Sequence, residues 1–447
     1  MYQSIIPFDG ILDAAVVLPG SKSMTNRALI LAALSEGTTL LEGVLDSEDT
    51  QVLFEALHQL GLKIEHIPNL RQILVTGTRG IFPNQYANIY VGNSGTTARF
   101  LTAVLAFSNG KYRIYGKPRM HERPIRDLVD ALQSLGSEIC YDEKNGFPPL
   151  SFSGVCQQPP ATVSGMEQNT KSATVSGSVS SQFLSALLMA APLAAQSAHV
   201  ELHVSETLVS KPYIRMTLEM MKSFGVTTEM IGDFETFRFA KGTTYQTPKT
   251  YQIEPDASGA SYFFAAAAIC GGSVTVSGLS RQSLQGDVAF VDCLEKMGCN
   301  VQQDDNSITV SRSAEKTLCG ISVDMNSFSD TAQTLAAIAL FAEGTTEITN
   351  IEHVRFKETD RIRDLAAELR RFGAIVDERP DGLRITPPKQ LTPATVETYD
   401  DHRMAMSFAV VGLRLRGVVI KNPECTRKTF PDFFNLLENL KKLKFTF

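Results

Sequence analysis

A recurring pattern of about 75 residues is the feature that most constrains how this chain folds. In each copy an amphipathic helix ends in an apolar residue followed by glycine, and two strands separated by a polar turn come next. Five copies end at Leu60-Gly61, Leu135-Gly136, Phe224-Gly225, Met297-Gly298 and Phe372-Gly373, so the glycines are 75, 89, 73 and 75 residues apart. A sixth, degenerate copy covers residues 435–447. Glycine at a helix end predicts a left-handed cap.

A second pattern alternates with the first, and it is a helix that is apolar almost all round. Its copies begin at residues 28, 100, 183, 261, 331 and 404. A helix without a polar face is expected inside a domain, whereas its amphipathic partner is expected outside. Six units split as three plus three, which predicts two domains of inside-out α/β architecture. The alternative, an ordinary doubly wound sheet, gives no reason to repeat a fully apolar helix six times.

Polar residues gather directly before these apolar helices. They occupy residues 20–27, 92–99, 180–182, 256–258, 330–331 and 400–403. Helix N-termini favour anions, because free N–H groups and the positive end of the dipole lie there. N-capping, the alternative explanation, accounts for the Ser, Thr and Asp residues. It does not account for Lys22, Arg27, Arg99 and Arg403, since a cation opposes the dipole at a helix start. The pattern therefore predicts bound anions.

Composition narrows the class of protein. A net charge of −6 over 447 residues opposes a nucleic-acid partner. The seven cysteines are scattered and never form Cys-x-x-Cys, which argues against a disulfide framework and a zinc site and predicts buried thiols. The N-terminus lacks the pattern of a secretory signal, and no apolar run reaches the roughly 18 residues of a membrane span. A cytoplasmic protein without a membrane contact is expected.

Three further basic segments lie at residues 117–126, 355–361 and 425–430. Lys357 and Arg361 share one helix face in the second of them. For any single segment, a solvated surface cluster of charges remains the simpler interpretation. The three become informative only when they are considered together with the helix-start clusters.

Taken together and in order, nine segments of this chain resemble the enolpyruvyl transferase family, in the branch that acts on shikimate 3-phosphate. They cover residues 19–29, 92–103, 123–132, 180–193, 210–221, 256–269, 357–366, 400–409 and 425–434. The resemblance implies two inverse α/β barrel domains, each of three βαβαββ repeats, joined by a two-strand hinge. Its domains would comprise residues 1–19 plus 254–447 and residues 20–253, with crossings near residues 19–20 and 253–256.

The resemblance also implies a reaction without a metal or cofactor, carried out by a monomer. Phosphoenolpyruvate is joined to the 5-hydroxyl of shikimate 3-phosphate through a tetrahedral ketal phosphate, and phosphate is released. By motif, the residues implied to hold shikimate 3-phosphate are Ser23, Arg27, Ser180, Ser181, Gln182, Ser210, Tyr213, Asp330 and Lys357. Those implied to hold phosphoenolpyruvate are Lys22, Asn93, Gly95, Arg123, Gln182, Arg361, Arg403 and Lys428.

Lys22, Asp330 and Glu358 are the implied acid–base groups, and which of them moves which proton stays open at this point. His402 is interpreted as a structural neighbour. His353 departs from the family, because relatives often carry asparagine there for a substrate contact. Gly95 leaves room for glyphosate, a phosphonate inhibitor of the family, so sensitivity is expected.

Two alternatives differ in substrate or class. The sister enzyme transfers enolpyruvyl to UDP-N-acetylglucosamine and typically places a reactive cysteine in a loop that corresponds to residues 117–124, where this chain has none. A non-enzymatic, ring-shaped DNA clamp could also be built from six related units. Such a clamp needs basic residues spread along its inner helices, whereas here these helices are apolar.

Overall fold

The computed structural model describes residues 1–155 and 170–442. The chain forms two compact units, one made of Met1–Gly20 together with the chain from Glu254 onward, and the other of Ser21–Ile253. Each unit repeats the alternation of strand and helix that the sequence pattern predicts.

The described residues of the Ser21–Ile253 unit form three four-stranded sheets. The first consists of Glu36–Glu42, Lys63–Ile67, Gln72–Thr78 and Thr250–Gln252; the second of Tyr86–Tyr90, Lys111–Tyr115, Ser137–Tyr141 and Leu150–Val155; the third of Thr170–Ser176, His199–Ser205, Glu229–Ile231 and Thr236–Phe239. In each sheet two neighbouring strands are parallel and the other pairings are antiparallel. The first sheet is completed by Thr250–Gln252, from the far end of the unit.

In the part of this unit that the structure describes, six helices alternate between the inside and the outside. They are α1 (Lys22–Leu34), α2 (Glu48–Gln59), α3 (Gly95–Leu105), α4 (Arg126–Ser134), α5 (Ser181–Ala194) and α6 (Lys211–Ser223). α1 is buried from Met24 onward and α3 along its whole length, whereas α2 and α4 each bury one face. The prediction of apolar inner helices and amphipathic outer helices is confirmed.

The other unit has the same plan. Its sheets consist of Leu12–Val16, Gly272–Ser277, Asn300–Gln303 and Ser307–Arg312; of Ser322–Asp324, Thr346–Thr349, Ile375–Arg379 and Gly382–Thr386; and of Tyr2–Ser4, Thr395–Val396 and Val419–Lys421, with a small pair Leu318–Cys319 and Ala342–Glu343. Its helices are α7 (Ala257–Cys270), α8 (Phe290–Lys296), α9 (Ala332–Ala339), α10 (Arg361–Arg371), α11 (His402–Gly412) and α12 (Phe433–Glu438). α7, α9 and α11 are the buried members.

Short 3-10 helices connect several of these elements. They are Pro68–Leu70, Pro118–Glu122, Gly286–Ala289, Asn326–Thr331, Glu352–Phe356, Pro423–Lys428 and Leu440–Lys442. Four of them carry or directly precede basic or acidic residues that the sequence pattern singles out.

The glycines of the repeat close the outer helices as predicted. Gly61, Gly136, Gly225, Gly298 and Gly373 all have positive φ, between 79° and 107°. A residue with a side chain adopts this conformation at a cost in free energy, so glycine is the most favourable residue at the ends of these helices.

The prediction that every cysteine is buried is wrong for two of them. Cys270, Cys293, Cys299 and Cys425 are buried, but Cys140 and Cys319 are exposed. Cys140 lies in a strand where alternate residues face opposite sides, and its side is the solvent side. Cys156 lies outside the described residues. Within residues 1–155 and 170–442, none of the helices combines the length and apolarity needed to cross a membrane.

Candidate functional site

The N-terminal turns of the inner helices gather within each unit. In the Ser21–Ile253 unit, Asn26 Nδ2 of α1 donates a hydrogen bond to Thr96 Oγ1 of α3 over 2.6 Å. In the other unit, hydroxyl groups connect Ser261 of α7 to Thr334 of α9 over 3.1 Å, and Thr334 to Ser407 of α11 over 3.4 Å. The N-terminal halves of these inner helices therefore lie close together within each unit.

Arg27 turns its guanidinium into the interior of its unit. The side chain is 1% exposed. Its Nε donates to Thr217 Oγ1 over 2.7 Å, its Nη1 to the Ser23 carbonyl over 3.1 Å and its Nη2 to Ser185 Oγ over 2.9 Å. Hydroxyl groups from α5 and α6 therefore hold the guanidinium inside the unit, while one bond keeps it next to Ser23.

Among residues 1–155 and 170–442, no carboxylate accepts a hydrogen bond from Arg27. All three oxygens that accept its hydrogen bonds are neutral, and the rings of Phe100 and Tyr213 lie 5.1 and 5.9 Å from the guanidinium carbon. Burial lowers the pKa of Arg27 from 12.5 to about 10, although Tyr213 opposes that shift. A buried cation held only by neutral groups is favourably completed by an anion.

Lys22 has a partner that the sequence analysis missed. Its Nζ lies 3.3 Å from Asp49 Oδ2, and the Asp49 side chain is 6% exposed. Asp49 lies in the first turn of α2, two residues after the N-cap Ser47. An acidic residue in a first helical turn is common, so nothing in the local sequence distinguishes this one.

Arg123 and Gly95 approach each other closely. Arg123 Nη1 donates to the backbone oxygen of Asn93 over 3.1 Å and to its Oδ1 over 3.3 Å. A Cβ atom added at Gly95 would lie only 2.5 Å from Arg123 Nη2. The absence of a side chain at Gly95 is therefore required for the observed position of the guanidinium.

Arg99 is the cation at the start of α3, where the sequence pattern predicts a bound anion. In the structure it is buried and donates to the Pro124 carbonyl over 2.9 Å and to Met120 Sδ over 3.4 Å. These contacts hold the turn that presents Arg123.

The other predicted residues of this unit lie at the starts of α5 and α6. Ser180 is the N-cap of α5, and its Oγ accepts a hydrogen bond from the Gln182 N–H over 3.2 Å; Ser181 is the first residue of that helix. Capping thus accounts for part of this cluster. Ser210 precedes α6 and is buried with φ at +53°, a left-handed conformation that a serine adopts at a cost.

All six residues predicted in the other unit belong to one network of ion pairs. Asp330 accepts from three cations: Lys357 Nζ over 2.5 Å, Arg361 Nη1 over 3.2 Å and Arg403 Nη2 over 2.7 Å. Burial on its own would raise the pKa of Asp330. The three cations outweigh burial and hold that pKa well below its usual range.

Glu358 extends the network on the other side of Arg361. One carboxylate oxygen lies 2.9 Å from Lys428 Nζ, and the other accepts from Arg361 Nη2 over 2.8 Å. Arg361 also donates through Nε and Nη2 to the two oxygens of Asp401, over 2.7 and 3.2 Å. This two-point contact fixes the plane of the guanidinium.

Asp401 and Ser258 belong to the helix-start clusters at residues 400–403 and 256–258, but the family resemblance assigns neither of them to a substrate. Asp401 also caps α11 by accepting from the Arg403 N–H, and His402 is buried beside it with Nδ1 3.5 Å from Asp401 Oδ1. Tyr262 Oη and Ser258 Oγ of α7 each lie 3.4 Å from the Arg403 guanidinium. Among the described residues, these contacts combine three carboxylates with four cations, so cations outnumber carboxylates in the network.

Comparison with known proteins identifies the family. The family described as EPSP synthase (3-phosphoshikimate 1-carboxyvinyltransferase) matches residues 9–437. A 3-phosphoshikimate 1-carboxyvinyltransferase of Nostoc punctiforme is 48% identical over 95% of both chains. One from Burkholderia vietnamiensis is 46% identical over 99% of both.

Solved structures agree with the fold. The EPSP synthase of Acinetobacter baumannii has a TM-score of 0.78 and 25% identity, covering 99% of this chain and 98% of that one. The enolpyruvyl transferase NikO of Streptomyces tendae has a TM-score of 0.74 and 18% identity over 99% of this chain and 97% of that one. The predicted fold of two inverse α/β domains is therefore confirmed, and the chain belongs to the EPSP synthase family.

Proposed function

We propose that this protein transfers the enolpyruvyl group of phosphoenolpyruvate to the 5-hydroxyl of shikimate 3-phosphate and releases inorganic phosphate. The observation that carries the proposal is the buried network in which Asp330 and Glu358 are held by Lys357, Arg361, Arg403 and Lys428. Such a network offers carboxylates for proton transfer beside cations for anionic substrates. The family match over residues 9–437 supports it.

The substrates are anions, and the candidate residues of each unit include several cations. Each substrate carries a phosphate and a carboxylate. We assign the shikimate 3-phosphate to Ser23, Arg27, Ser180, Ser181, Gln182, Ser210, Tyr213, Asp330 and Lys357, and the phosphoenolpyruvate to Lys22, Asn93, Gly95, Arg123, Gln182, Arg361, Arg403 and Lys428. Planar guanidinium groups suit carboxylate and phosphate oxygens, because they donate two hydrogen bonds at once.

The proposed reaction proceeds by addition and elimination. In the addition, the methylene carbon of phosphoenolpyruvate gains a proton while the 5-hydroxyl oxygen bonds to the adjacent carbon and loses its proton. In the elimination, the new methyl group loses a proton and the carbon–oxygen bond to phosphate breaks. Inorganic phosphate leaves with that bonding pair, so no redox partner is needed.

We assign to Asp330 the role of the base that accepts the proton of the 5-hydroxyl. Burial would raise the pKa of Asp330, but Arg403, Lys357 and Arg361 together hold that pKa well below the usual range, so the group is a carboxylate at neutral pH. It becomes a stronger base when these cations turn to the anionic substrates, because their attraction is what lowers the pKa. Glu358 is assigned the proton exchange at the methylene carbon. Lys22, paired with Asp49, is assigned to the departing phosphate.

The two alternative functions are less well supported. The relatives at 46–48% identity are named for the shikimate 3-phosphate reaction, and the segment at residues 117–124 contains no cysteine. The DNA clamp would need cations along the inner helices, but α3 and α7 bury apolar residues along their length.

Phosphate release separates these functions directly. We expect the full chain to release inorganic phosphate from phosphoenolpyruvate only when shikimate 3-phosphate is added. UDP-N-acetylglucosamine should not replace that acceptor. Release with the UDP-sugar alone would contradict the proposed acceptor, and no release with either would contradict enolpyruvyl transfer.

Gly95→Ala should impair the use of phosphoenolpyruvate. The added Cβ would lie 2.5 Å from Arg123 Nη2, so the guanidinium must move away. Because displacements of about 1 Å can cost on the order of 100-fold in rate, we expect kcat/KM for phosphoenolpyruvate to fall about 10- to 100-fold.

Glyphosate provides a second measurement on the same variant. We expect millimolar glyphosate to inhibit the wild type and to inhibit Gly95→Ala less. The KM for shikimate 3-phosphate and the thermal midpoint serve as internal controls and should change little. Equal kinetics and equal inhibition in both proteins would show that the contact at Gly95 has no functional effect.

Several further expectations remain predictions. They are a monomeric state, a cytoplasmic location, the absence of a cofactor and the hinge at residues 19–20 and 253–256.

A further inference from the structure

A buried hydrogen bond joins the segment that carries Asp330 to the segment that carries Lys357. Asp330 belongs to the 3-10 helix Asn326–Thr331, and Lys357 directly follows the 3-10 helix Glu352–Phe356. His353 of the second segment has its Nε2 2.8 Å from Ser329 Oγ of the first. The histidine is 7% exposed and the serine 1%.

The segment before α9 depends on side-chain contacts for its shape. Phe328 interrupts the 3-10 helix with φ of −141° and ψ of 41°, so regular backbone hydrogen bonding does not continue through it. Asn326 Nδ2 donates to the Asn350 carbonyl over 3.1 Å at the start of the segment. The bond from His353 acts at its other end, on the residue adjacent to Asp330.

We propose that His353 is a positioning residue. Its hydrogen bond to Ser329 holds the adjacent Asp330 so that the carboxylate of Asp330 lies beside Lys357. The inference rests on the proposed function, in which Asp330 accepts the proton of the 5-hydroxyl. A carboxylate that accepts a proton during the reaction must have an oxygen within hydrogen-bond distance of the reacting hydroxyl. His353 is placed to act on the reaction through Ser329 and the adjacent Asp330.

The imidazole suits this role because it stays neutral. The charged groups that face it are Lys357, Arg361 and Asp330. Burial, reinforced by Lys357, lowers the pKa of His353 from 6.5 to about 3, although Asp330 opposes the shift. A neutral imidazole adds no charge to a network that already contains an excess cation. It keeps one donor and one acceptor nitrogen, and the Ser329 hydroxyl can match either.

Side-chain length at position 353 distinguishes a contact with Ser329 from the substrate contact of the asparagine that relatives often carry. The amide nitrogen of glutamine reaches about as far from the backbone as histidine Nε2, whereas that of asparagine corresponds to Nδ1. Glutamine at position 353 can therefore keep a bond to Ser329, and asparagine falls short of it. In this chain the residue points towards the segment of Asp330.

The test compares His353→Gln, His353→Asn, Ser329→Ala and the double variant His353→Asn/Ser329→Ala in the full chain. The wild type is measured first, for phosphate release from phosphoenolpyruvate and shikimate 3-phosphate. We expect His353→Gln to keep kcat within about threefold of the wild type. His353→Asn and Ser329→Ala should each lower kcat about 10- to 100-fold, with the KM for phosphoenolpyruvate little changed. The double variant should be no worse than either single variant, because all three lack the same bond.

The outcomes distinguish failure of the proposed function from failure of the role proposed for His353. If the wild type is inactive, the proposed function fails and this inference fails with it. If the wild type is active but His353→Asn matches it, or the two single effects multiply in the double variant, only the inference is overturned. A change confined to the KM for shikimate 3-phosphate would also overturn it, since that marks a direct substrate contact. Should the histidine variants not fold, Ser329→Ala decides alone, with its kcat as the readout.

Discussion

Asp330→Asn should lower kcat by about 100- to 10,000-fold, the range that a positioned general base contributes. Asparagine has nearly the same shape as aspartate but accepts no proton at neutral pH. It also leaves Lys357, Arg361 and Arg403 without the carboxylate that now receives a hydrogen bond from each. The measurement is steady-state phosphate release with both substrates saturating.

The same substitution should also reduce stability. The depressed pKa of Asp330 means that its ionised form stabilises the folded protein above about pH 4, and that this contribution is lost as pH falls through the folded-state pKa. Removing one member of a buried ion pair typically costs about 3–5 kcal/mol. Because the three remaining cations attract anions, inorganic phosphate should raise the thermal midpoint of Asp330→Asn more than that of the wild type.

Asp377→Asn is the matched control for this prediction. Asp377 is an acid of the same unit, pairs with Arg379 over 3.2 Å and has a side chain that is 61% exposed. We expect its kcat and thermal midpoint to stay close to the wild-type values. An Asp330→Asn variant that turned over as fast as this control would remove Asp330 from the chemistry.

Arg27→Met should separate binding from stability. In the folded protein the guanidinium is charged at pH 7, and burial lowers its pKa from 12.5 to about 10. That shift corresponds to an unfavourable contribution of roughly 3 kcal/mol at every pH below the folded-state pKa. Methionine fills similar volume without the charge, so the thermal midpoint should stay the same or rise.

Shikimate 3-phosphate binding should suffer in the same variant. Removing one partner of a buried charged contact costs about 2–5 kcal/mol, or about 30- to several-thousand-fold in affinity. We expect calorimetric titration to show a loss in that range. The control is Arg215→Met, since Arg215 is an exposed arginine on α6 of the same unit. A midpoint several degrees below that of the control, or unchanged affinity, would contradict our interpretation of Arg27.

The fold could be predicted from sequence because its signals are local. Apolar helices such as α3 and α7 and glycine caps such as Gly61 and Gly136 are set by neighbouring residues. The positions of the cations relative to helix starts also depend on local sequence. These features, together with the family resemblance, account for the architecture and for the set of candidate residues.

The contacts of those residues could not be predicted in the same way. Arg27 turns inward because Ser185 and Thr217, 158 and 190 residues further along the chain, accept its hydrogen bonds. Asp49 and Asp401 resemble ordinary first-turn and capping acids until the structure places them beside Lys22 and Arg361. Pairing across such separations depends on how the repeats pack, and no local pattern reports it.

The way the sheets are completed has a consequence for the order of folding during synthesis. Thr250–Gln252 closes the first sheet of Ser21–Ile253, so that unit has all its strands once residue 253 has left the ribosome. Leu12–Val16 and Tyr2–Ser4 are made first, yet their partners are Gly272–Ser277 and Val419–Lys421. These two strands are therefore synthesised long before their partners, and their backbone N–H and C=O groups stay unpaired for much of translation. Unpaired strand edges promote aggregation, so we expect chaperones to protect the chain during this period.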